Sequence, residues 1–309
     1  MTPKLALVTG GAGFIGSNVV RKLISEGWSV RVIDDLSTGY ISNLNGLDVE
    51  FIQASIVNNK AAEDACNGVD VVFHLAACVG RQRSIDNPVL DSSINLIGTI
   101  NVLEGMHKNG VSRIVYSSSA AIFGELISPT IGEDHPQNAD SPYGVSKLAA
   151  EKMILAYTGI YPITAVCLRY FNIYGVNQRY DLYGNVIPIF AHRLFNGSPI
   201  TIYGNGEQTR DFVVVEDVAK ANYLAAISNS GTAVYNMGCG QSITINQLAR
   251  MMMEISGIQT EIIYAPERLA DVKHCKADIS QVKEALGFEP ETDMAAGLTR
   301  YLNWFRENR

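Results

Sequence analysis

A tyrosine and a lysine four residues apart could carry acid–base chemistry on a hydroxyl group. Tyr143 and Lys147 stand in the run Ser141-Pro-Tyr-Gly-Val-Ser-Lys147, and a serine cluster, Ser117-Ser-Ser119, precedes it. A phenol has an unperturbed pKa of about 10 and is a poor base near neutral pH. The lysine lies on the same helical face, so we expect its ammonium to lower the tyrosine pKa. Ser119 could then hold the reacting oxygen during proton transfer.

A glycine-rich loop near the start of the chain could bind a dinucleotide. Thr9-Gly10-Gly11-Ala12-Gly13-Phe14-Ile15-Gly16 follows a strand pattern and opens a helical one. Gly10 permits the tight turn, Gly13 lets the backbone approach a pyrophosphate, and Gly16 lets helix and sheet pack closely. Asp34 stands 18 residues after Gly16, where a carboxylate accepts both ribose hydroxyls and repels a 2′-phosphate. The loop and Asp34 therefore predict NAD and not NADP.

The elements that must position these residues alternate in the first half of the chain, which is typical of βαβ units and a parallel sheet. The predicted strands are Lys4–Thr9, Ser29–Ile33, Val49–Ala54, Val69–Ala76, Arg113–Ser117 and Ile163–Arg169. The predicted helices are Phe14–Glu26, Asn59–Cys66, Pro88–Asn109, Pro142–Tyr157, Val186–Phe195, Glu216–Ile227, Ile245–Ser256, Ile279–Leu286 and Met294–Asn308. Long Gly- and Asn-rich segments after Phe171 predict functional loops on a smaller lobe packed against the first.

Composition excludes several classes of protein. The 309 residues are 47% hydrophobic and 18% charged, as in an ordinary globular protein. A formal net charge of −7 argues against nucleic-acid and anionic-membrane partners. We find no apolar run of transmembrane length and no signal-peptide pattern. The five cysteines are scattered and the five histidines lack metal-ligand spacing, so we expect a cytoplasmic protein without disulfides or a bound metal.

The chain resembles the extended short-chain dehydrogenase/reductase family, and within it the nucleotide-sugar epimerases. Besides the loop and the Tyr–Lys pair, the matching motifs are His74-Leu-Ala-Ala77, Asn95, Arg169-Tyr-Phe-Asn-Ile-Tyr-Gly175, Gly206-Glu-Gln-Thr-Arg-Asp-Phe212 and Arg268-Leu-Ala-Asp271. The resemblance covers essentially the full chain. It implies an α/β fold with a Rossmann-type doubly wound parallel sheet in residues 1–171, with returning segments near 211–235. Residues 172–309 would form a smaller lobe over a UDP-sugar, and residues 88–109 and 142–157 a homodimer interface.

The resemblance also implies the residues that contact each ligand. Catalysis is assigned to Ser119, Tyr143 and Lys147. Cofactor contacts are assigned to Gly10, Gly13, Phe14, Ile15, Gly16, Asp34, Ala76, Asn95, Tyr143, Lys147 and Tyr170. Substrate contacts are assigned to Ser84, Ser119, Asn172, Asn185, Tyr203, Arg210, Arg268 and Cys275. The arginines among them can offer a planar fork of donors to a diphosphate. The chain departs from the family pattern at Ser55, Val176-Asn177 and Ala270, none of which is a reacting residue.

The residues after Ser119 distinguish the reactions that this family supports. Related dehydratases and decarboxylases carry carboxylates there, whereas this chain has Ala120 and Ala121, so the resemblance predicts 4-epimerisation through a 4-keto sugar. Small Cys275 falls where a bulky tyrosine in the family restricts substrates to glucose and galactose. We therefore expect N-acetyl sugars to be accepted as well, unless Cys275 is only a structural buried cysteine.

Two other functions remain open from the sequence. A UDP-glucuronate 4-epimerase would need cations for the C6 carboxylate, and Arg81 and Arg83 are candidates for that contact. A catalytically silent NAD-sensing protein on the same fold would be of the kind that loses its tyrosine and lysine. Both residues are present here, which favours an enzyme.

Overall fold

Fifteen strands and eleven α-helices occur in residues 4–181, 184–267 and 273–308, which the computed structural model describes. The strands are β1 (Leu5–Thr9), β2 (Ser29–Asp34), β3 (Glu50–Gln53), β4 (Val71–His74), β5 (Arg113–Ser119), β6 (Thr130–Ile131), β7 (Thr164–Tyr170), β8 (Asn172–Tyr174), β9 (Ile200–Tyr203), β10 (Thr209–Arg210), β11 (Phe212–Val214), β12 (Ala233–Met237), β13 (Ile243–Thr244), β14 (Ile262–Ala265) and β15 (Lys276–Ala277). The helices are α1 (Phe14–Ser25), α2 (Asn59–Ala65), α3 (Arg81–Asp86), α4 (Pro88–Ser92), α5 (Gly98–Asn109), α6 (Pro142–Ile160), α7 (Val186–Phe195), α8 (Val215–Ile227), α9 (Ile245–Ser256), α10 (Ser280–Leu286) and α11 (Met294–Asn308).

Seven parallel strands form the central sheet in the order β12-β7-β5-β4-β1-β2-β3. Six of them are the strands predicted from the sequence, which confirms the parallel α/β fold. β12 was missed, and with α8 it returns to the sheet from the C-terminal half of the chain. The strand order reverses beside β1, and ligands of open α/β sheets bind at the carboxyl ends of the strands at such a point. The glycine loop follows β1 at this edge.

Helices cover both faces of the sheet. Because successive strand side chains point to opposite faces, Leu7 and Val8 of β1 enter different cores. Val8 packs in the core that α1 and α8 cover, and Leu7 in the core that α2, α5 and α6 cover. Both side chains are fully buried, and each such burial contributes roughly 1.5–3 kcal/mol. The two cores hold the carboxyl ends of β1, β4 and β5 in a fixed relation.

A smaller third core lies in the C-terminal part of the chain, where α7 and α9 pack on β9 and α11 packs on α7 and α9. Its largest fully buried side chains include Phe190 and Tyr301. A fourth cluster joins the lobe to the end of β5, with Phe123, Phe171 and Cys275 among its members. This cluster brings Cys275, which is distant in sequence, to the edge of the sheet where β5 ends.

Two predictions of secondary structure were wrong in detail. Residues 88–109 form α4 and α5 with a π-helical segment, Ser93–Ile97, between them, and not one regular helix. Helix α3 was not predicted, because residues 81–86 show no apolar periodicity. Within the ranges that the structure describes, no helix is long and apolar enough to cross a membrane.

Candidate active site

The glycine loop forms a close-packed cradle between β1 and α1. Gly10 has a φ of +69°, and a Cβ there would lie 2.8 Å from the Cα of Ala76. A Cβ on Gly16 would lie 2.1 Å from the carbonyl oxygen of Gly10. Gly13 caps α1 without a side chain, so the first N–H groups of that helix are left for an anion. The cradle therefore requires glycine for steric reasons at the positions that the motif predicts.

Asp34 ends β2 beside this cradle. Its Oδ2 accepts the N–H of Ala12 at 2.9 Å, and its Oδ1 accepts the N–H of Leu36 at 2.8 Å. Burial raises the pKa of Asp34, and these two hydrogen bonds oppose the rise. The carboxylate retains further lone pairs toward the cleft that it lines, so it can accept ribose hydroxyls there.

A single cleft of about 1280 Å³ runs from the cradle to the C-terminal lobe. Fifteen of the predicted site residues line it: Gly10, Gly13, Phe14, Ile15, Gly16, Asp34, Ala76, Ser119, Tyr143, Lys147, Tyr170, Asn172, Asn185, Arg210 and Cys275. These residues come from both halves of the chain. The predicted cofactor residues and most of the predicted substrate residues thus share one continuous space.

Tyr143 and Ser119 meet where α6 begins and β5 ends. Ser141 caps α6 by accepting the N–H of Gly144 at 3.2 Å, and Pro142 occupies the first turn. β5 extends beyond its predicted end to Ser119, which lines the cleft with Tyr143 and acts to lower the pKa of its phenol. The pair can therefore share a proton with a substrate oxygen placed between them.

Burial decides the charge states of this pair and its lysine. It raises the pKa of Tyr143 to about 12, against the direction expected from Lys147, and Ser119 only reduces the rise. Burial lowers the pKa of Lys147 to about 7, and the Lys147 Nζ lies 4.4 Å from the centroid of the Tyr116 ring. In this structure burial outweighs the lowering of the Tyr143 pKa that we expect from Lys147. The positive charge of a bound nicotinamide would act in the same direction as the ammonium.

Three predicted contacts do not line the cleft, and a fourth predicted residue lies outside the described residues. Ser84 is fully buried and donates its hydroxyl to the carbonyl of Arg81 at 2.7 Å. Asn95 is also buried and binds the backbone of Cys78 through its side-chain amide. Tyr203 lines a separate small pocket on the C-terminal lobe. Arg268 lies outside the described residues, as does the Ala270 departure. These four roles stay predictions without support from the cleft geometry.

Two groups of functional relevance were missed in the sequence. Thr9 and Thr99 hydrogen-bond the two ring nitrogens of His74 at 2.8 and 2.9 Å, and burial lowers the pKa of His74 to about 3. This neutral histidine ties the ends of β1 and β4 to α5. Asp91 is fully buried four residues before Asn95. Asp91 and Asn95 are four residues apart and so lie on the same face of a helix, and this spacing could have identified Asp91 from the sequence.

The departures from the family pattern at Ser55 and Val176-Asn177 fall on the cofactor half of the cleft. Ser55 lines the cleft after β3. The carbonyl of Val176 accepts from Asn18 of α1 at 2.9 Å, and Asn177 donates to Ser17 at 2.9 Å. Asn177 has a φ of +73°, a region that asparagine tolerates better than most residues. The two residues therefore fasten the loop after β8 to α1.

Comparison with known proteins identifies the family. Residues 6–238 match the family model "NAD dependent epimerase/dehydratase family". The chain belongs to this family. Its fold is that of solved members: a UDP-glucose 4-epimerase from Thermotoga maritima with UDP-glucose has a TM-score of 0.93 at 38% identity, over 98% of this chain and 99% of that one. A UDP-N-acetylglucosamine 4-epimerase from Methanobrevibacter ruminantium, in complex with UDP-N-acetylmuramic acid, has a TM-score of 0.95 at 33% identity, over 100% of both chains.

A third relative shows that substrates differ within the family. A UDP-glucuronate 4-epimerase from Thermodesulfobacterium geofontis is 35% identical over 315 residues, which are 98% of this chain and 96% of that protein. The three relatives are all nucleotide-sugar 4-epimerases by name, yet each is named for a different sugar. The family membership and the NAD dependence predicted from the sequence are confirmed. The relatives do not identify the sugar of the substrate, which has to be inferred from the residues that line the cleft.

The residues present fit NAD. The steric cradle of Gly10 and Gly16, the uncapped start of α1 and the carboxylate of Asp34 lie along one wall of the cleft. Together they supply close backbone approach and N–H donors for a diphosphate, and an acceptor for ribose. Tyr143 and Lys147 line the same cleft beyond the cradle, where a reactive ring bound in this orientation would meet the substrate.

Proposed function

We propose that this chain is an NAD-dependent 4-epimerase of UDP-hexoses, which interconverts UDP-glucose with UDP-galactose and UDP-GlcNAc with UDP-GalNAc. The observation that carries the proposal is that Ser119, Tyr143 and Lys147 line one cleft that is continuous with the glycine cradle. Such a set can exchange a proton with a sugar hydroxyl at the place where hydride transfer to a nicotinamide is possible.

The chain's own residues move and hold the proton. NAD, when bound, takes up the C4 hydride and returns it. The Tyr143 phenolate removes the proton from O4 and returns it to the same oxygen when C4 is reduced again. Ser119 hydrogen-bonds O4 throughout, so that the oxygen stays beside the phenol. Lys147 binds the cofactor ribose and its ammonium stabilises the phenolate.

Inversion requires a 4-keto sugar that turns over while its diphosphate stays bound. Arg210 lines the cleft on β10, and we propose it as one anchor of the diphosphate, with Arg268 as the second. Guanidinium forks suit phosphate oxygens because they donate two parallel hydrogen bonds. The sugar is bound less tightly than the diphosphate, so either face of C4 can be presented to the cofactor.

Dehydration is disfavoured by the composition of the cleft wall after Ser119. Ala120 and Ala121 line the cleft there and carry no ionisable group. Elimination of water across C5 and C6 would need an acid and a base at those carbons. Epimerisation needs no further group beyond the Ser119, Tyr143 and Lys147 set.

Cys275 supports the acceptance of N-acetyl sugars. It lines the cleft opposite the sheet, in the cluster with Phe123 and Phe171. Burial raises the pKa of its thiol to about 11, so the side chain is a neutral, small group at physiological pH. A tyrosine at this position would fill the space that an acetamido group needs.

Glucuronate is the second candidate substrate, and the paired arginines argue against it. Arg81 and Arg83 both line the cleft. Arg81 forms an ion pair with Asp140 at 2.8 Å, and Arg83 forms one with Asp181. A C6 carboxylate would have to displace a carboxylate that already neutralises each cation.

We also propose a homodimer through the helices of residues 88–109 and 142–160. These helices expose apolar side chains to solvent in the monomer, among them Val89, Ile97, Val145 and Ile160. Exposed apolar side chains grouped on two packed helices are typical of a protein–protein interface. The five cysteines are unpaired, which supports a reducing compartment such as the cytoplasm.

Proton NMR of three separate reactions tests the proposed function. The purified protein is incubated without added NAD with UDP-GlcNAc, UDP-glucose or UDP-glucuronate, and Tyr143→Phe serves as the inactive control. Conversion of UDP-GlcNAc and UDP-glucose is the expected result. Conversion of UDP-glucose alone would remove the role of Cys275, and conversion of UDP-glucuronate alone would replace the substrate. No conversion of any of the three would refute the proposal.

A further inference from the structure

A buried carboxylate beneath the Tyr143 and Lys147 pair has no part in the reaction described above. Asp91 lies on α4, which packs against α6, and is 0% exposed. Its Oδ1 accepts from the Asn95 amide at 3.1 Å. Its Oδ2 is buried and has no hydrogen bond of ordinary geometry from a described residue; burial raises the pKa of the Asp91 carboxyl, and Ser146 and Asn95 oppose that rise. A buried carboxylate with an unsatisfied oxygen is costly, so its presence calls for a compensating interaction.

Hydrogen bonds connect Asp91 to the turn that carries Tyr143. The Asn95 amide nitrogen lies 3.1 Å from Asp91 Oδ1, 3.0 Å from the Ser146 hydroxyl and 3.0 Å from the Cys78 carbonyl, so its two hydrogens are shared among these three acceptors. Ser146 in turn donates to the carbonyl of Tyr143 at 3.0 Å. Asn95 also accepts the N–H of Cys78 in the cleft wall at 2.8 Å. The network therefore links α4, the first turn of α6 and the wall of the cleft.

Asp91 acts on Lys147 through space and not through a direct ion pair, and its charge raises the pKa of the lysine. Groups from each neighbouring element face the ammonium: Asp91 from α4, Glu151 from α6, His74 from β4, Tyr116 from β5 and Cys167 from β7. Burial keeps His74, Tyr116 and Cys167 uncharged, since it lowers the pKa of the histidine and raises the pKa of the other two.

Glu151 already has a cationic partner. Arg169 forms an ion pair with Glu151 at 2.8 Å, and both side chains are buried. Ser118 donates to the same carboxylate at 2.6 Å. Among the described residues that face Lys147, Asp91 is thus the carboxylate without an arginine partner, and its charge is left to act on the ammonium.

We propose that Asp91 is a positioning residue that keeps Lys147 protonated and, through Asn95 and Ser146, holds the first turn of α6 in place. The inference rests on the proposed function, in which Tyr143 and Lys147 serve the proton transfer. It adds a residue that touches neither substrate nor cofactor and yet sets the charge of the pair that does.

The sign of the effect follows from charge alone. The Asp91 carboxylate raises the pKa of Lys147 and that of Tyr143, so its neutral replacement lowers both. Turnover requires a phenolate, which forms as pH rises, and an ammonium, which is lost as pH rises. Asp91→Asn therefore moves both limbs of the coupled Tyr143–Lys147 profile to lower pH, by roughly one unit, which is the lower end of the effect of a nearby charge.

The test is the pH dependence of kcat for UDP-glucose in four purified holoenzymes. They are the wild type, Asp91→Asn, Ser146→Ala and Asp217→Asn. Asp91→Asn keeps the size of the side chain and removes its charge. Ser146→Ala cuts the link to α6 without changing any charge. Asp217→Asn is the matched control, because Asp217 is a buried carboxylate that accepts backbone N–H groups of residues 291 and 292, away from the cleft.

We expect both limbs of the pH profile to shift to lower pH in Asp91→Asn. In Ser146→Ala we expect unshifted limbs and a reduced kcat. In Asp217→Asn we expect an unshifted profile. Limbs of Asp91→Asn that superimpose on those of the wild type would overturn the proposal, whatever the value of kcat.

A second readout does not depend on turnover. The phenolate of Tyr143 is titrated by ultraviolet difference spectroscopy of each holoenzyme against the same protein carrying Tyr143→Phe. The Tyr143 pKa is expected to fall in Asp91→Asn, and an unchanged pKa would again overturn the role of Asp91. If the wild type converted no UDP-sugar, the proposed function would fail, while this titration would still decide whether Asp91 sets the charge of the pair.

Discussion

Replacement of Gly16 by alanine adds one methyl group at the tightest point of the cradle. The new Cβ would lie 2.1 Å from the carbonyl oxygen and 2.8 Å from the carbonyl carbon of Gly10. Both atoms are backbone, and Gly10 is itself held by its N–H donating to Ile33 at 2.8 Å. Relief of the clash therefore requires movement of the loop or of α1, since no side chain can turn away.

The expected cost follows from the rigidity of the contact. Overpacking of a core by a methyl group lowers the free energy of unfolding by about 1–3 kcal/mol. Because the atoms that clash in Gly16→Ala are backbone atoms of Gly10, we expect the upper end, about 3 kcal/mol. Displacement of the loop also weakens NAD binding by at least about tenfold, which corresponds to 1.4 kcal/mol. Gly159→Ala is the matched control, because Gly159 is an exposed residue of α6 with no atom within 4 Å of its Cβ position. It should stabilise the protein by about 0.5–1 kcal/mol.

Urea unfolding of the NAD-free proteins measures the first effect, and calorimetric titration with NAD measures the second. We expect Gly16→Ala to lose stability and affinity together, and Gly159→Ala to lose neither. A Gly16→Ala protein within 1 kcal/mol of the wild type and with unchanged NAD affinity would show that the cradle is not rigid, and the steric argument would be wrong.

Three further substitutions test the site and the assembly. Tyr143→Phe removes the proton carrier and should lower kcat by a factor of about 10²–10⁴ without changing the circular dichroism spectrum. Tyr264→Phe is the control. Near-normal turnover by Tyr143→Phe would contradict the mechanism. Cys275→Tyr should abolish turnover of UDP-GlcNAc while sparing that of UDP-galactose, whereas Cys275→Ser keeps both; equal effects on the two sugars would remove Cys275 as a specificity residue. Val89→Glu places a charge on the exposed face of α4 and should convert a dimer to a monomer in light scattering; a wild-type monomer would refute the proposed interface.

Much of the fold was predictable because local signals agreed with the final structure. α9 runs from Ile245 to Ser256 as predicted, since Thr244 and Gln247 form a capping box and Gly257 adopts the left-handed conformation that ends the helix. The inner strands β1 and β4 are buried on both faces and read as continuous apolar runs. These features need no distant partner, so the sequence carries them directly.

The edge strand β12 and helix α3 were not predictable in this way. β12 (Ala233–Met237) joins the sheet beside β7, about 65 residues further along the chain than its partner, and its short sequence gives no sign of that pairing. The π-helical segment between α4 and α5 likewise depends on tertiary packing. Asn95 within it binds Cys78, Asp91 and Ser146 from three other places in the fold.

The sequence by itself determined the residue types of the reaction and the cofactor. The order of the glycine loop, Asp34, Ser119 and the Tyr143–Lys147 pair identified NAD chemistry on a hydroxyl, because each motif requires its residues for local steric or helical reasons.

Only the tertiary structure decided the charges and the neighbours of those residues. Burial raised the pKa of Tyr143 against the direction expected from spacing alone. Asp140 and Asp181 neutralised the arginines proposed for glucuronate, and Asp91 came to lie beneath the catalytic pair. The reason is that desolvation and Coulomb interaction depend on every group within several ångströms, and folding brings those groups from distant parts of the chain.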